Sequence, residues 1–368
     1  VISSQPQSTF SYRFSVSERE NPDAPLLIFV PGGPGQTSMD MALSYPYEFA
    51  IVRTDPRGVG CNENLDLPTE SLTSIEIAKD ILGIVRELKP KAYFIHGISY
   101  GTIPATMAAA LADEEGVPRP AALILEGTIG RPFLRDEYLQ DTLASWQRVK
   151  ARLPDEVVKR LSTTPLPFGA TSKQWAAYLS SVLVHGVLPN GVDFALDELQ
   201  KLRSNATEDE RESLRLQMVS MVKEPTAAKV RLARNINCRE FVPDVRDVKF
   251  DYDLSEGNLV AIPDQLCAGV AFDHPFDSRL FQSPSPIYYF SGSRDPVTPP
   301  VHARYHATHQ SASRIFVTVP RGGHHALSEN LSDCSEEIWL AILNGQPERV
   351  RQALSGCAFG RELIVETK

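Results

Sequence analysis

The chain has 368 residues, 42% hydrophobic and 23% charged, which suits one large globular domain with an insertion or two modest domains. A net charge of -9 argues against nucleic-acid partners, which need a basic face. No window approaches eighteen uninterrupted apolar residues, so no membrane span is expected, and eight histidines without HExxH or paired-cysteine spacing argue against a metal.

The first residue is Val1, not Met, which reads as a processed or trimmed chain and is compatible with removal of a signal peptide without showing it. The five cysteines (Cys61, Cys238, Cys267, Cys334, Cys357) leave at least one thiol unpaired and allow two bridges in an oxidising compartment. The other reading is five buried reduced thiols packing as small hydrophobes. We expect export, to the periplasm or the medium, with the cytoplasm as the alternative.

In chain order, the alternating segment Ser8–Val16 predicts an antiparallel edge strand. Short runs that are apolar throughout then follow at Leu26–Val30, Ile51–Thr54, Tyr93–His96 and Ala121–Leu125, and again at Ile287–Phe290 and Ile315–Val319. Runs of that kind suit parallel strands buried on both faces. Between them Ser74–Leu88 places Ile77, Ile81, Ile84, Val85 and Leu88 at helical spacing. The alternation predicts an α/β fold with a mostly parallel central sheet flanked by helices.

From about Arg131 to Pro284 the pattern changes to amphipathic helices, Tyr138–Leu153, Lys173–Val184 and Glu208–Val222, with no clear buried strand. The expected division is therefore a core of residues 1–130 and 285–368 with an inserted helical cap, 131–284, over the strands' C-terminal ends. The alternative is an independent helical domain.

Gly97-Ile98-Ser99-Tyr100-Gly101 follows an apolar run and precedes the alanine-rich, helix-prone Thr102–Leu111. A strand, a GxSxG turn and a helix in that order form a nucleophile elbow, which holds a hydroxyl clear of the sheet at a helix N-terminus. Ser99 is the candidate nucleophile. A serine hydroxyl needs a base, and the α/β-hydrolase order is Ser, acid, His, each after a later strand. Asp295 follows Ile287–Phe290 and is the candidate acid; Glu126, ending Ala121–Leu125, competes. Arg321-Gly322-Gly323-His324-His325 follows Ile315–Val319 and supplies the base. His324 comes directly after the glycine pair and is preferred, although its neighbour His325 is poorly separated by sequence. His302, His306 and His309 read as ordinary surface or cap residues. The oxyanion donors expected are the N–H of Tyr100 and that of Gly33, in the loop Pro31-Gly32-Gly33-Pro34-Gly35, since Pro34 has none.

These residues carry a family resemblance. Pro31–Gly35 (PGGPG), Asp55–Gly60 (DPRGVG) and Gly97–Thr102 (GISYGT) resemble the tripeptidyl and prolyl aminopeptidase branch of the α/β-hydrolases, over about residues 25–130 and 285–360. Many prolyl aminopeptidases have His where Pro31 stands, so the match is closer to the tripeptidyl type; the RG-x-G-x-Ser pattern of the branch ends here in Cys61 and Asn62.

The resemblance implies a cofactor-free serine exopeptidase that takes a peptide with a free N-terminus through an acyl-enzyme on Ser99. It also implies a Cys334–Cys357 bridge. A buried acid would have to sense the substrate amine, and Glu240, in Asn237-Cys238-Arg239-Glu240-Phe241, is nominated against the alternative of a solvated helix-end charge. The Asp55–Arg57 pair is expected to brace the oxyanion loop, with Arg57 holding a carboxylate bidentately. Ester or lactone hydrolysis by the same triad, and a binding protein without turnover, are the alternatives.

Overall fold

The computed structural model describes residues 10–15, 23–41, 43–63, 67–130, 135–161, 169–171, 174–175, 178–179, 197–221, 226–240, 248–253, 258–263, 267, 269–271, 273, 278–295 and 297–368. An eight-stranded sheet runs in the order β1 (Tyr12–Ser15), β3 (Ala50–Thr54), β2 (Leu26–Val30), β4 (Tyr93–Ile98), β5 (Ala122–Glu126), β8 (Ile287–Gly292), β9 (Arg314–Val319) and β10 (Ile364–Thr367). The strands from β3 to β9 in this order are parallel, and β1 and β10 close the edges antiparallel. Strands β2, β4, β5 and β8 are buried along their whole length, which is why their sequences are apolar runs rather than alternating ones.

Helices cover both faces. Helix α1 (Ser74–Leu88) starts where the Thr73 side chain accepts the Glu76 N–H and ends on Lys89 in the left-handed region. With α2 (Thr102–Leu111) it packs Ile77, Ile81, Ile84, Ile103 and Met107 on one face. On the other, the helices Ser335–Leu343 and Pro347–Gly356 set Ile338, Trp339, Ile342, Val350 and Leu354 against Phe94, Ile124, Phe290 and Val317. The bridge Cys334–Cys357 joins the start of one helix to the end of the other. A second bridge, Cys238–Cys267, pins the helix Ala227–Glu240; Cys61 is exposed and lies outside both.

Residues between β5 and β8 include the helices Arg135–Lys150, Asp155–Leu161, Glu208–Met221 and Ala227–Glu240. Trp146, Val157, Trp175, Tyr178, Leu199, Leu214 and Met218 form an apolar cluster of their own there. Of Lys173–Val184, residues 174–175 and 178–179 are helical and the remainder lies outside the described residues.

This stretch, expected to hold amphipathic helices and no clear buried strand, also carries the hairpin β6 (Val248–Asp253) and β7 (Asn258–Pro263), paired antiparallel from Val248↔Pro263 to Asp253↔Asn258. Val248, Phe250 and Tyr252 alternate with Lys249, Asp251 and Asp253, a short period-two pattern set among helical segments. Likewise β10 is too short and polar to read as a strand and owes its place to the β9 edge. Among the described residues no helix is long and apolar enough to cross a membrane.

Candidate active site

The chemistry-bearing residues follow the C-terminal ends of adjacent parallel strands, where open α/β sheets place ligands. Ser99 follows β4 with φ 55°, the left-handed geometry of a sharp elbow. The flanking glycines are there for space: a Cβ on Gly97 would stand 2.6 Å from the Gly101 carbonyl oxygen, and one on Gly101 would run into the Val30 carbonyl oxygen. The Thr102 hydroxyl donates to the Ser99 carbonyl at 2.6 Å and accepts the Ile129 N–H at 3.1 Å, tying the elbow to the strand beside it.

Asp295 follows β8 and is buried. Its Oδ1 accepts the N–H groups of Val297 (2.8 Å) and Thr298 (2.9 Å), and its Oδ2 accepts the Thr298 hydroxyl (2.7 Å). The remaining donor is His324 Nδ1, 2.8 Å from Oδ2. Burial works against the charge on Asp295, but the His324 ring and the Thr298 donors outweigh it, and the carboxyl is held below its ordinary range. With Nδ1 turned to Asp295, Nε2 is the nitrogen left for a reacting group.

The strand register brings the base of this ring to the same end of the sheet as the elbow. Ile98 of β4 pairs with Glu126 of β5, so Ser99 and Gly127 each follow the last residue of a paired strand and leave the sheet at the same edge. His324 lies on Gly127, where a Cβ would come within 2.7 Å of its Cε1 and 2.8 Å of its Nδ1. Gly127 has φ 54°, so glycine is needed there for both backbone and space. The loop carrying His324 is seated on Gly292, where a Cβ would overlap the backbone of Gly322 and Gly323.

The two competitors are placed elsewhere. Glu126 is fully buried and turns its oxygens to His96 Nε2 (2.8 Å) and to the N–H groups of Leu327 (2.9 Å) and Ser328 (3.0 Å), not to His324. His325 Nδ1 pairs with Glu329 at 2.9 Å. Burial pulls its pKa down, yet Glu329, with Glu126 and Asp295 nearby, raises it overall.

Gly32 approaches the elbow most closely, with a Cβ position 3.0 Å from Ser99 Cβ, and Gly33 is the next residue in that loop. Tyr100 is buried and its phenol meets the Ser74 hydroxyl at 2.8 Å. The Asp55–Arg57 pair divides its labour. Asp55 accepts the N–H (2.7 Å) and hydroxyl (2.8 Å) of Ser38, just beyond the glycine loop, and the Cys61 N–H (2.9 Å). Arg57 grips Asp80 of α1 with Nε (2.7 Å) and Nη2 (2.6 Å).

Glu240 is buried rather than solvated, and its Oε1 accepts the Ser74 N–H at the start of α1 (2.8 Å). Burial pushes its carboxyl up to about 7 against the two Ser74 hydrogen bonds. The helix it ends is bound along its length: Lys229 pairs with Asp40 (2.6 Å), and Asn235 Nδ2 donates to the carbonyls of Thr69 (3.0 Å) and Leu72 (2.6 Å). A Cβ on Gly35 would touch the Lys229 carbonyl oxygen at 3.0 Å, so this helix contacts the glycine loop as well.

The reading of the histidine trio is corrected in part. His302 and His306 are buried on the inner side of the helix Pro300–Thr308, because Gly130 lets that helix approach closely. Burial drops His306 to about 3, and its Nδ1 accepts the Tyr289 hydroxyl at 2.6 Å. Sequence reasoning missed Thr298, which touches both Asp295 and His324 Nδ1 (3.1 Å). The signal was present: an Asp followed three residues later by Thr, just before a helix-starting proline, is a local turn motif. It also missed Gly127, which has no motif to announce it.

A family model described as the alpha/beta hydrolase family matches residues 27–337. Among curated proteins none matches the chain. Similar solved structures include the Mycobacterium tuberculosis protein Rv0554 (14% identity, 91% of this chain and 92% of that one, TM-score 0.51). An α/β hydrolase enzyme, MGS-M2, from a Medee basin deep-sea metagenome library is similar at 13% identity, 91% and 94% coverage and TM-score 0.51. A proline iminopeptidase from Mycobacterium smegmatis has 15% identity, 93% and 95% coverage and TM-score 0.44. At such identities the likeness is one of fold. The strand order, the strained serine turn and the extent of the model match lead to one statement: the chain belongs to the α/β-hydrolase family.

Proposed function

We propose that the chain is a serine aminopeptidase of the prolyl or tripeptidyl type, with Ser99 as nucleophile, His324 as base and Asp295 as the acid that orients it. In this reading His324 Nε2 takes the Ser99 proton as the hydroxyl attacks the acyl carbon. The imidazolium is stabilised by Asp295 and then delivers the proton to the leaving amine. The N–H groups of Gly33 and Tyr100 receive the oxyanion, and water repeats the sequence on the acyl-enzyme. The observation that carries the reading is the 2.8 Å His324–Asp295 pair, mounted on Gly127 at the end of the strand next to the elbow's own.

Glu240 supports a free-amine substrate. A buried carboxyl with a pKa of about 7 gains its charge most readily when an ammonium group arrives, and this one lies at the Ser74–Tyr100 contact next to the elbow. Residues 131–284 act as the cap in this scheme, and the helix Ala227–Glu240 holds it against the glycine loop. Two disulfides favour a secreted or periplasmic protein. No cofactor takes part.

One observation favours ester hydrolysis instead: Glu240 Oε1 is already engaged by the Ser74 N–H, which leaves one oxygen for an amine. Fluorogenic Pro-, Ala- and tripeptidyl-amides, compared with their N-acetylated forms and with p-nitrophenyl esters, separate the two. Preference for free amines supports the aminopeptidase, and turnover of esters alone removes it. A fluorophosphonate that leaves Ser99 unlabelled would remove catalysis altogether.

A further inference from the structure

Glu126 is a buried carboxylate that the proposed mechanism does not use, and it lies at the centre of a fully paired network. Burial disfavours its charge, but the His96 ring and the Ser328 N–H more than compensate, so the carboxyl stays below its ordinary range. An ionised Glu126 only accepts, so His96 donates Nε2–H to Oε1 at 2.8 Å. His96 Nδ1 then accepts the Tyr45 hydroxyl, also at 2.8 Å. This tautomer is the one that satisfies every partner. The other oxygen, Oε2, accepts the N–H of Leu327, the N–H of Ser328 and the Ser328 hydroxyl, at 2.9, 3.0 and 3.2 Å.

What Glu126 grips is the turn that carries His324. Leu327 and Ser328 belong to the π-helical turn Ala326–Asn330, directly after the two histidines. At the end of the same turn, Asn330 Oδ1 accepts the N–H of Gly323 at 2.8 Å, fixing the residue before His324. Both flanks of the ring are thus tied to one turn, and one carboxylate holds that turn to β5. The next residue, Gly127, is the surface on which the ring rests.

We propose that Glu126, backed by His96 and Tyr45, is a positioning residue for His324, setting its imidazole over Ser99 independently of Asp295. Asp295 sets the rotation of the ring through Nδ1; Glu126 sets where its backbone stands. A glutamine at 126 keeps the shape but loses the charge: its N–H₂ group either faces the Leu327 and Ser328 N–H donors and loses those bonds, or faces His96, which must reverse its tautomer and its bond to Tyr45. The inference rests on the reading of His324 as the base.

The test uses p-nitrophenyl acetate, whose turnover needs the triad and not the amine site. In Glu126→Gln, kcat falls at least about tenfold with KM nearly unchanged, since a base displaced by a fraction of an ångström loses rate rather than binding. The downfield proton resonance of His324 Nδ1–H moves or broadens, a readout that a merely structural role would leave in place. Tyr45→Phe and Ser328→Ala remove one hydroxyl each and show the same changes in smaller measure; they carry the test if Glu126→Gln does not fold. Folded variants with wild-type kcat and an unmoved resonance overturn the inference. A wild-type protein with neither turnover nor fluorophosphonate labelling removes the reading beneath it as well, so the two failures are distinguishable.

Discussion

Replacing Gly127 by alanine tests whether the ring resting on it is the working base. The new Cβ would stand 2.7 Å from His324 Cε1, 2.8 Å from Nδ1 and 2.9 Å from the Thr298 hydroxyl, about 0.7 Å short of the 3.4 Å at which ordinary contact begins. Either the imidazole retreats or the β5 loop does, and each separates His324 from Ser99. Gly116 provides the control: its φ is 66°, close to the 54° of Gly127, and a Cβ there meets nothing within 4 Å. Holding alanine in the left-handed region costs about 1–2 kcal/mol at either position. Overpacking adds about 1–3 kcal/mol at Gly127 alone.

Urea unfolding should therefore show Gly116→Ala modestly destabilised and Gly127→Ala more so. On p-nitrophenyl acetate, Gly116→Ala keeps the wild-type kcat. Gly127→Ala loses up to about 100-fold, the penalty for a misplacement near 1 Å. Equal kcat for the two folded variants would refute the placement of the base on Gly127.

Asp295→Asn should lower kcat by about 10⁴-fold, since Asn cannot both orient Nδ1–H and stabilise the imidazolium. Because the native carboxyl is held below its ordinary range, its stabilising contribution is present above that range and is lost as pH falls through the native pKa, a loss that urea titrations of Asp295→Asn should lack. His324→Ala should cost on the order of 10⁴–10⁶ in rate; His325→Ala, acting on a ring paired with Glu329, should cost far less, and the reverse order would reassign the base. For Glu240, the unfolded chain releases the proton near 4.5 while the folded chain keeps it to about 7, so stability declines with rising pH between the two. Glu240→Gln should flatten that decline in urea midpoints measured from pH 5 to 8 and raise KM for free-amine peptides but not for their N-acetylated forms. Replacing Cys334 and Cys357 together by serine removes a crosslink over a sequence separation of 23 and should reduce unfolding free energy by about 3 kcal/mol.

The parallel sheet was legible because its strands are buried on both faces: Leu26–Val30 was read to the residue, and the later strands to within two residues at each end. The elbow was legible because a left-handed serine demands small neighbours, leaving the GxSxG spacing as its imprint. The paired strands Val248–Asp253 and Asn258–Pro263 escaped because they are short and stand among helical segments, and the inward turn of His302 and His306 because it depends on Gly130, far away in the chain.

Sequence alone determined that a serine elbow, a later acid and a histidine after the glycine pair occur in the α/β-hydrolase order, because backbone geometry limits which residues each turn admits. It preferred Asp295 over Glu126 by chain order and His324 over His325 by its place after the glycine pair, without any direction for the side chains. Only the folded sheet shows which way each side chain turns. Gly127 follows the residue that pairs with Ile98, the β8 and β9 loops bring Asp295 onto Nδ1 of the ring resting on that glycine, and Glu126 turns its charge to a different histidine. A hydrogen bond depends on direction over less than 3 Å, and no spacing along a chain encodes that.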